Sequence, residues 1–254
     1  MGDIGEKNAD LGKVKVYGSQ TLLQKYDKKD TIFIMADTLL TIEDSLKQQS
    51  EIYAYNNVKI RKGNISGLSD SLLYALKDST IYFFDNPVVW ADSNQISGDT
   101  IRVLFANQEI HKIFTSRNSF TIKFHHQNQH DQIKGRNTVA FFQDSELAKV
   151  KVYGNGECLY YVNNEEEKEF TGVNIIECSS MNVYFNEGQL SDISFVTSPK
   201  ARFYPPKGLT KEKKFLEKFD WRWANKPTRQ EFEEVIGIYF PSFNKINVEV
   251  KVEI

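Results

Sequence analysis

Lys13-Val14-Lys15-Val16-Tyr17-Gly18 returns letter for letter as Lys149-Val150-Lys151-Val152-Tyr153-Gly154. An identity of six residues can arise by chance in a biased composition, so the flanking residues decide whether the chain is repetitive. Internal periods of roughly 20–50 residues are typical of stacked architectures, in which each unit covers its neighbour. The repeat is therefore the feature from which the fold is predicted.

The second copy begins at the end of a strand–turn–strand unit, residues 135–150. The same unit occurs at residues 98–113 and 181–193, which makes three occurrences in the chain. Each unit has an alternating run, a short polar turn, an acid or amide, then Leu or Ile, two spacers and Ile or Val. Because side chains two positions apart on a strand share a face, the units predict one common apolar face. In the first strands of the units, that face is predicted to carry Ile101, Val103, Phe105, Val139, Phe141, Val183 and Phe185. The second strands are predicted to begin at Ile110, Leu147 and Leu190.

A second similarity fills the first half of the chain. Residues 58–67 resemble residues 88–98 with one inserted residue, and an Asp with an apolar neighbour follows each of them, at Asp70 and Asp99. Turn residues such as Gly, Asn and Asp separate the short strands. One unit cannot bury its apolar face alone, whereas stacked units bury a continuous face. The sequence therefore predicts an all-β fold, a stacked repetitive β-jelly-roll made of a folded-over sheet. An up-and-down barrel is the alternative.

The pattern changes after Pro205-Pro206, which divides the chain into a repetitive β-jelly-roll at residues 1–204 and a C-terminal appendage at residues 205–254. Helical spacing over residues 209–219 predicts one short helix. The segment Pro227-Thr228-Arg229-Gln230-Glu231 fits a capping box and predicts a second helix. Alternation returns in residues 246–252 and predicts a terminal strand.

The bulk properties exclude some classes of function. The 254 residues carry a net charge of −2 with scattered Lys and Arg, and the basic stripe that a nucleic-acid partner requires is missing. No apolar run approaches the roughly 20 residues that span a bilayer. The polar start Met1-Gly2-Asp3 carries no export signal and is typical of the cut end of a longer chain. Cys158 and Cys178 are either two small buried side chains or one disulfide of an oxidising compartment.

Candidate catalytic chemistry is sparse. The chain has no Gly-x-Ser-x-Gly motif and no Gly-rich phosphate loop. His125, His126 and His130 form a cluster, but neighbouring residues on a strand point to opposite faces and the surroundings are Gln and Asn, as in an exposed loop. The Asp residues at turns are typical structural residues. The sequence therefore predicts that the protein is not an enzyme and has no catalytic residues, no metal site and no cofactor.

Several fragments, in their order and spacing, resemble one known family. They lie at residues 57–74, 86–90, 95–101, 154–161, 172–185, 205–206, 219–222 and 227. Together these fragments are similar to the OstA-like (organic solvent tolerance) proteins of the Bacteroidetes type, which are relatives of the lipopolysaccharide-transport protein LptA. The resemblance covers roughly residues 13–228.

This resemblance implies a V-shaped β-jelly-roll in the periplasm, and association with the outer membrane is left open. It implies non-enzymatic binding and transfer of lipopolysaccharide across the periplasm for outer-membrane assembly, with the acyl chains of lipid A held between two sheet faces. Unpaired edge strands would join other lipopolysaccharide-transport proteins or a second copy of the chain. An interior of Ile, Val and Phe suits acyl chains, since each buried CH₂ gains about 0.8 kcal/mol. The expected lipid-binding residues are Ile34, Ile60, Val103, Phe105, Ile122, Phe124, Phe141, Val183 and Phe185.

Two alternatives to lipid binding remain at this point. The same apolar positions would also form a plain closed core without a ligand. The protein would then be a β scaffold that self-assembles without lipid. A carbohydrate-binding β-solenoid would instead need aromatic residues along one outer face, and Tyr53, Tyr55, Tyr82 and Trp90 are the candidates.

Overall fold

Antiparallel strands make up most of the chain in the computed structural model. The structure describes residues 1–8, 12–27, 30–44, 49–125, 129–164, 169–187, 189–196 and 199–239. Fifteen strands occur in this part of the chain: β1 Ile4–Asn8, β2 Lys13–Asp27, β3 Asp30–Asp44, β4 Gln49–Lys62, β5 Ile65–Ala75, β6 Thr80–Phe84, β7 Val88–Ala91, β8 Asn94–Ser97, β9 Thr100–Ala106, β10 Glu109–Phe124, β11 His130–Gln143, β12 Glu146–Asn164, β13 Glu169–Asn186, β14 Gln189–Phe195 and β15 Lys200–Tyr204. The predicted all-β class is confirmed.

The long strands all bend at a common corner. The pairing register shifts there, for example between Tyr55 and Val58 of β4 and between Ser116 and Ser119 of β10. Asn56, Asn57, Arg117 and Asn118 have positive φ at this corner, which is a conformation that Asn adopts more readily than most residues. Since neighbouring strands bend at the same level, one sheet folds over on itself.

The corner divides the sheet into two limbs. The first limb comprises residues 4–8, 13–17, 38–44, 49–55, 71–75, 80–84, 100–106, 109–116, 137–143, 146–153, 181–186 and 189–195. The second limb comprises residues 21–27, 30–36, 58–62, 65–69, 88–91, 94–97, 119–124, 130–135, 156–164, 169–178 and 200–204. The predicted folded-over sheet is therefore confirmed.

The repeated sequences occupy equivalent places in this folded sheet. The β9–β10, β11–β12 and β13–β14 hairpins are the three strand–turn–strand units, and all three lie in the first limb. The second strands start at Glu109, Glu146 and Gln189, next to the predicted Ile110, Leu147 and Leu190. The similar segments 58–67 and 88–98 both form hairpins of the second limb.

The faces that the limbs turn toward each other, here called the inner face, form one apolar core. A row of cross-strand pairs on the first limb runs through Ile52, Tyr74, Ile81, Val103, Ile113, Ala140, Val150 and Val183. A matching row on the second limb runs through Ile34, Ile60, Gly67, Val89, Ile96, Thr121, Ile133 and Cys158. A Cβ on Gly67 would lie 2.7 Å from the Phe83 ring of the opposite limb, so glycine permits the limbs to approach closely.

Residues 205–239, here called the strap, cross the outer face of the second limb. Two glutamine amides hold the strap backbone. Gln132 donates to the carbonyl of Lys214 at 2.9 Å and accepts from the amide of Leu216 at 2.7 Å. Gln95 donates to the carbonyl of Asp220 at 2.6 Å and accepts from the amide of Arg222 at 2.8 Å. Each buried side chain thus binds the strap as a neighbouring strand would.

The strap ends in the one α-helix of the described residues, α1 Arg229–Tyr239. The predicted capping box is confirmed, because the Thr228 amide donates to Glu231 Oε1 at 3.0 Å and the Glu231 amide to Thr228 Oγ1 at 3.4 Å. The Tyr239 hydroxyl then donates to the carbonyl of Gln20 at the opposite edge of the sheet.

The predicted helix over residues 209–219 is wrong. Only Glu212–Lys214 form a short 3-10 turn, because the Lys214 carbonyl and the Leu216 amide bond to the Gln132 side chain and not to the backbone of a continuing helix. The terminal strand predicted for residues 246–252 lies outside the described residues. The division into two domains stays a prediction.

Candidate functional site

The candidate site is the space between the two inner faces, here called the trough. Its middle is closed, since Ile34, Val103 and Val183 are fully buried. Its two ends are more open, with Val14 38% exposed near β1 and Phe203 50% exposed on β15. The trough is therefore filled by a packed apolar core whose side chains become accessible where the sheet ends.

Six of the nine expected site residues lie on this inner face and share one buried cluster. They are Ile34, Ile60, Val103, Phe105, Val183 and Phe185. The first two come from the second limb and the other four from the first, so the fold brings together positions from both halves of the chain. Whether they bind lipid stays a prediction.

Phe141 is placed on the wrong face by the sequence prediction. Its cross-strand partners are Lys112 and Lys149, and the Nζ atom of Lys112 lies 5.3 Å from the Phe141 ring on the outer face. The inner residue is Phe142, which belongs to the core cluster. Counting back from the turn explains the error, because Phe142 stands four positions before Glu146, as Phe105 does before Glu109. The prediction for Val139 is wrong in the same way, because Ala140 and not Val139 lies on the inner face.

Ile122 and Phe124 also lie on the outer face, beneath the strap. Ile122 packs in a cluster with Leu216 of the strap, and the Phe124 ring stacks on Trp221 with centroids 6.0 Å apart. The two-residue period of this strand was correct, but the strap covers its apolar side. Apolar residues therefore mark the outer face here, and Thr121 and Lys123 point inward.

The margins of the trough that lie away from the corner, here called the lips, are the rows nearest the hairpin turns. On the second limb, the inner row runs through Lys62, Ile65, Ala91, Asn94, Lys123 and Asp131. On the first limb, Phe105 and Phe185 face them. The Nζ atom of Lys62 lies 5.2 Å from the Phe105 ring centroid and that of Lys123 lies 5.8 Å from the Phe185 centroid. Cation–π contacts of this kind join the two lips.

The outer face of the first limb differs from that of the second limb. The Tyr53 and Tyr55 rings are stacked at 6.3 Å, and the Tyr82 and Phe84 rings at 6.5 Å. A hydrogen bond to Glu51 and partial burial raise the pKa of Tyr53 to about 12. Trp90, the fourth aromatic candidate, is fully buried on the second limb and therefore cannot extend this exposed series.

The histidine cluster is divided by the fold, and residues 126–128 lie outside the described part. His125 Nε2 lies 2.8 Å from Asp131 Oδ2, whereas the His130 ring packs against Trp221 at 5.0 Å between centroids. Among the described residues, no three His, Cys, Asp or Glu side chains are grouped as metal ligands would be.

Both cysteines are free thiols in this structure. Cys158 lies on the inner face of β12 and pairs with Ile176, whereas Cys178 pairs with Gly156. Burial raises the pKa of the Cys158 thiol, which lowers the fraction of reactive thiolate. Cys158 therefore acts as a small apolar side chain of the trough.

The chain is similar to a known family and to a solved structure. Residues 12–109, less than half of the chain, match the family described as "LptA/(LptD N-terminal domain) LPS transport protein". This match confirms the predicted resemblance to the LptA-type family. The solved structure of LptH from Pseudomonas aeruginosa, described as the LptA-homologous periplasmic component of the lipopolysaccharide transport device, is 12% identical. The similarity covers 53% of this chain and 95% of LptH, with a TM-score of 0.40.

No curated protein sequence matches the chain significantly. In the described part of the chain, no helix combines the length and the apolar character that crossing a membrane requires.

Proposed function

We propose that this protein binds lipopolysaccharide through its acyl chains and passes it across the periplasm, without catalysis. The observation that carries the proposal is the continuous apolar inner face, built from both limbs, closed in the middle and accessible at the ends. An acyl chain gains about 0.8 kcal/mol for each CH₂ that leaves water. The LptA-type family match over residues 12–109 supports this ligand.

Native mass spectrometry tests the proposal most simply. Protein produced in the periplasm of a host with an outer membrane should carry a bound mass that fits a lipid A-containing glycolipid. Protein produced without such a host should lack it and should gain it when purified lipopolysaccharide is added. Protein that stays unbound in both preparations would contradict the proposal.

A matched pair of variants locates the binding to the trough. Ile193 and Ser194 are neighbours on β14, and Ile193 is paired with the inner residue Val183, so Ser194 faces outward. Both lie near the sheet edge, where the fold tolerates change. Ile193→Asp should abolish the glycolipid mass because it places a charge among acyl chains, whereas Ser194→Asp should retain it.

The sheet edges are the proposed sites of contact with other lipopolysaccharide-transport proteins or with a second copy. At one edge β1 is exposed along its whole length, and at the other the residues of β15 are mostly exposed. An unpaired edge strand offers backbone donors and acceptors to an incoming strand.

Self-association measured by sedimentation tests this edge pairing. Adjacent amides of a strand point to opposite sides, so only one of Gly5→Pro and Glu6→Pro removes an outward donor from β1. One of the two variants should weaken association strongly and the other should not. A chain that stays monomeric at all concentrations, or two variants with equal effect, would contradict the pairing of identical chains.

Carbohydrate binding on the outer face of the first limb is the second candidate function. The parallel rings of Tyr53–Tyr55 and Tyr82–Phe84 favour it, because both pairs lie on a face that the strap leaves uncovered. A double variant, Tyr53→Ala with Tyr82→Ala, should abolish binding to immobilised lipopolysaccharide polysaccharide if this face is the site. Unchanged binding would exclude it.

A further inference from the structure

Lys123 is a buried cation on the inner side of the second-limb lip. Its side chain is only 8% exposed, and desolvation lowers the pKa of its ammonium group, against the opposing field of Asp131, Glu146 and Asp92. Its neighbour across the strands, Asn94, is 2% exposed. Burial of a charge is costly unless polar groups compensate it, so these two residues need an explanation.

The carboxylate closest in the pairing register acts on Lys123 through its field and forms no ion pair with it. Asp131 is its cross-strand partner, but Asp131 Oδ2 binds His125 Nε2 at 2.8 Å and Oδ1 accepts from the Tyr161 amide at 2.9 Å. Within the described part of the chain, no ion pair of Lys123 is found, and its close contact is the Phe185 ring. Asn94 likewise keeps a buried Oδ1 atom without a hydrogen-bond partner among the described residues.

The other basic region of the fold is different. A cleft of about 500 Å³ at the corner is lined by Arg117, Lys134, Arg136 and Lys218. Carboxylates already lie beside two of these cations, with Lys134 2.9 Å from Glu157 and Arg117 3.6 Å from Asp99. Two of the four cations in the corner cleft thus already have a carboxylate partner, whereas the ammonium group of Lys123 on the lip lies against an aromatic ring.

We propose that the second-limb lip is an anion-binding site, centred on Lys123 with Asn94 beside it and Lys62 farther along, for the phosphorylated headgroup of an amphiphile. This inference rests on the proposed function, because the chains of the amphiphile occupy the trough and bring the headgroup to the lip. Entry of the acyl or alkyl chains separates the lips. The Lys123 ammonium group then leaves the Phe185 ring and binds a phosphate oxygen. Charge-assisted hydrogen bonds to phosphate are stronger than a contact with a ring. The unpaired amide oxygen of Asn94 accepts from a sugar hydroxyl.

The position of Lys62 supports this assignment. It occupies the same inner row as Lys123 and makes the same kind of contact with the opposite lip, through Phe105. The row between these two cations runs through Ile65, Ala91 and Asn94, and two separated cations on one lip match an amphiphile with two anionic groups. Lipid headgroups with a phosphate at each end have this chemistry.

Isothermal titration of the full chain with three probes tests the site. Dodecyl phosphate presents the chain and the anion, dodecyl maltoside presents the chain alone, and inorganic phosphate presents the anion alone. Lys123→Met keeps the length of the side chain and removes its charge. Lys151→Met is the matched control, because Lys151 also lies over a phenylalanine ring, Phe141 at 5.4 Å, but on the outer face.

The expected result is a loss of about tenfold or more in dodecyl phosphate affinity for Lys123→Met, as for a lost hydrogen bond to a charged group. Dodecyl maltoside binding should stay unchanged in Lys123→Met, which also reports an intact trough. Lys62→Met should show a smaller loss of the same kind, and Lys151→Met none.

Each contrary result has a distinct meaning. If Lys123→Met loses both dodecyl probes equally, or neither, the anion site is refuted while the trough stands. If inorganic phosphate binds as tightly as dodecyl phosphate, the site takes a free anion and the assignment to an amphiphile is wrong. If wild-type protein binds neither dodecyl probe, the proposed function fails and the inference fails with it.

Discussion

The two limbs share their strand order but differ in what covers their outer faces. On the second limb, β7 is buried at all four positions because the other limb covers one face and the strap covers the other. On the first limb, β9 alternates between buried and accessible residues. Alternation identifies a strand only where one face meets water, and a strand covered on both faces gives a continuous apolar run. The limb that is harder to interpret from sequence is thus the one that supports the strap.

The largest expected difference between the limbs concerns their outer aromatic residues. Trp90→Ala on the second limb should lower the free energy of unfolding by about 3–5 kcal/mol, because it leaves a cavity under the strap. Tyr82→Ala on the first limb should cost less than about 1 kcal/mol, as is usual for a partly exposed side chain. Urea denaturation measures both values. Equal costs would mean that the outer faces do not differ in burial.

A smaller effect is expected from the glutamine clamp. Gln132→Leu removes both hydrogen bonds to the strap and leaves the Leu216 amide and the Lys214 carbonyl without partners. The buried Leu216 amide left in this way costs about 1–3 kcal/mol, and the Lys214 carbonyl adds little because it is only partly buried and can bind water. Hydrogen exchange at the Leu216 amide should accelerate strongly. Asn182→Leu on the first limb is the control, and exchange in the strap should not respond to it.

The helix cap at the end of the strap should contribute less again. Thr228→Ala removes the side-chain acceptor of the Glu231 amide, and losses of N-cap residues cost about 1 kcal/mol. The amides of α1 should exchange faster while those of the inner strands keep their rates. Arg229→Ala, which breaks only an exposed pair with Glu233, should cost less than about 0.5 kcal/mol. If both variants behave alike, the cap does not anchor the strap.

The smallest effect should depend on pH. Burial favours the neutral form of Glu231, but hydrogen bonds from Lys59 and the Thr228 amide outweigh burial and lower the pKa of Glu231. A carboxyl with a lowered pKa stabilises the fold above its unfolded pKa, about 4.3, and loses that contribution as the pH falls. The stability difference between wild type and Glu231→Gln should therefore shrink from pH 7 to pH 3. A stability difference that grows toward acid pH would contradict a stabilising interaction between Lys59 and Glu231.

The sequence was sufficient to predict the inner residues of two of the three first-limb hairpins. Phe105 and Phe185 stand four positions before Glu109 and Gln189 at the hairpin turns, and each reaches the inner face. The predicted face of Phe141 is wrong because the alternation was counted from the start of the strand, whereas the turn fixes the register of a hairpin. Counting from Glu146 would have selected Phe142.

The sequence was insufficient for the part of the second limb that the strap covers. The strap is held by Gln132 and Gln95, whose strap partners lie 82 and 125 positions away in the sequence. No sequence pattern around a single glutamine predicts a hydrogen-bond partner at such a distance. Ile122 was assigned inward because an apolar side chain is assumed to face the core. Lys123 was missed for the same reason, since a lysine between apolar neighbours is assumed to face water.

The central claim is that acyl chains lie on the inner face and nowhere else. Two pairs of adjacent aromatic residues test it, Phe141 with Phe142 and Tyr184 with Phe185, because each pair has one outer and one inner side chain. Each of the four is replaced in turn by photo-reactive p-benzoylphenylalanine, and the protein is irradiated with bound lipopolysaccharide. Crosslinks should form from positions 142 and 185 and not from 141 and 184. Crosslinks from the outer positions, or equally from all four, would contradict the account.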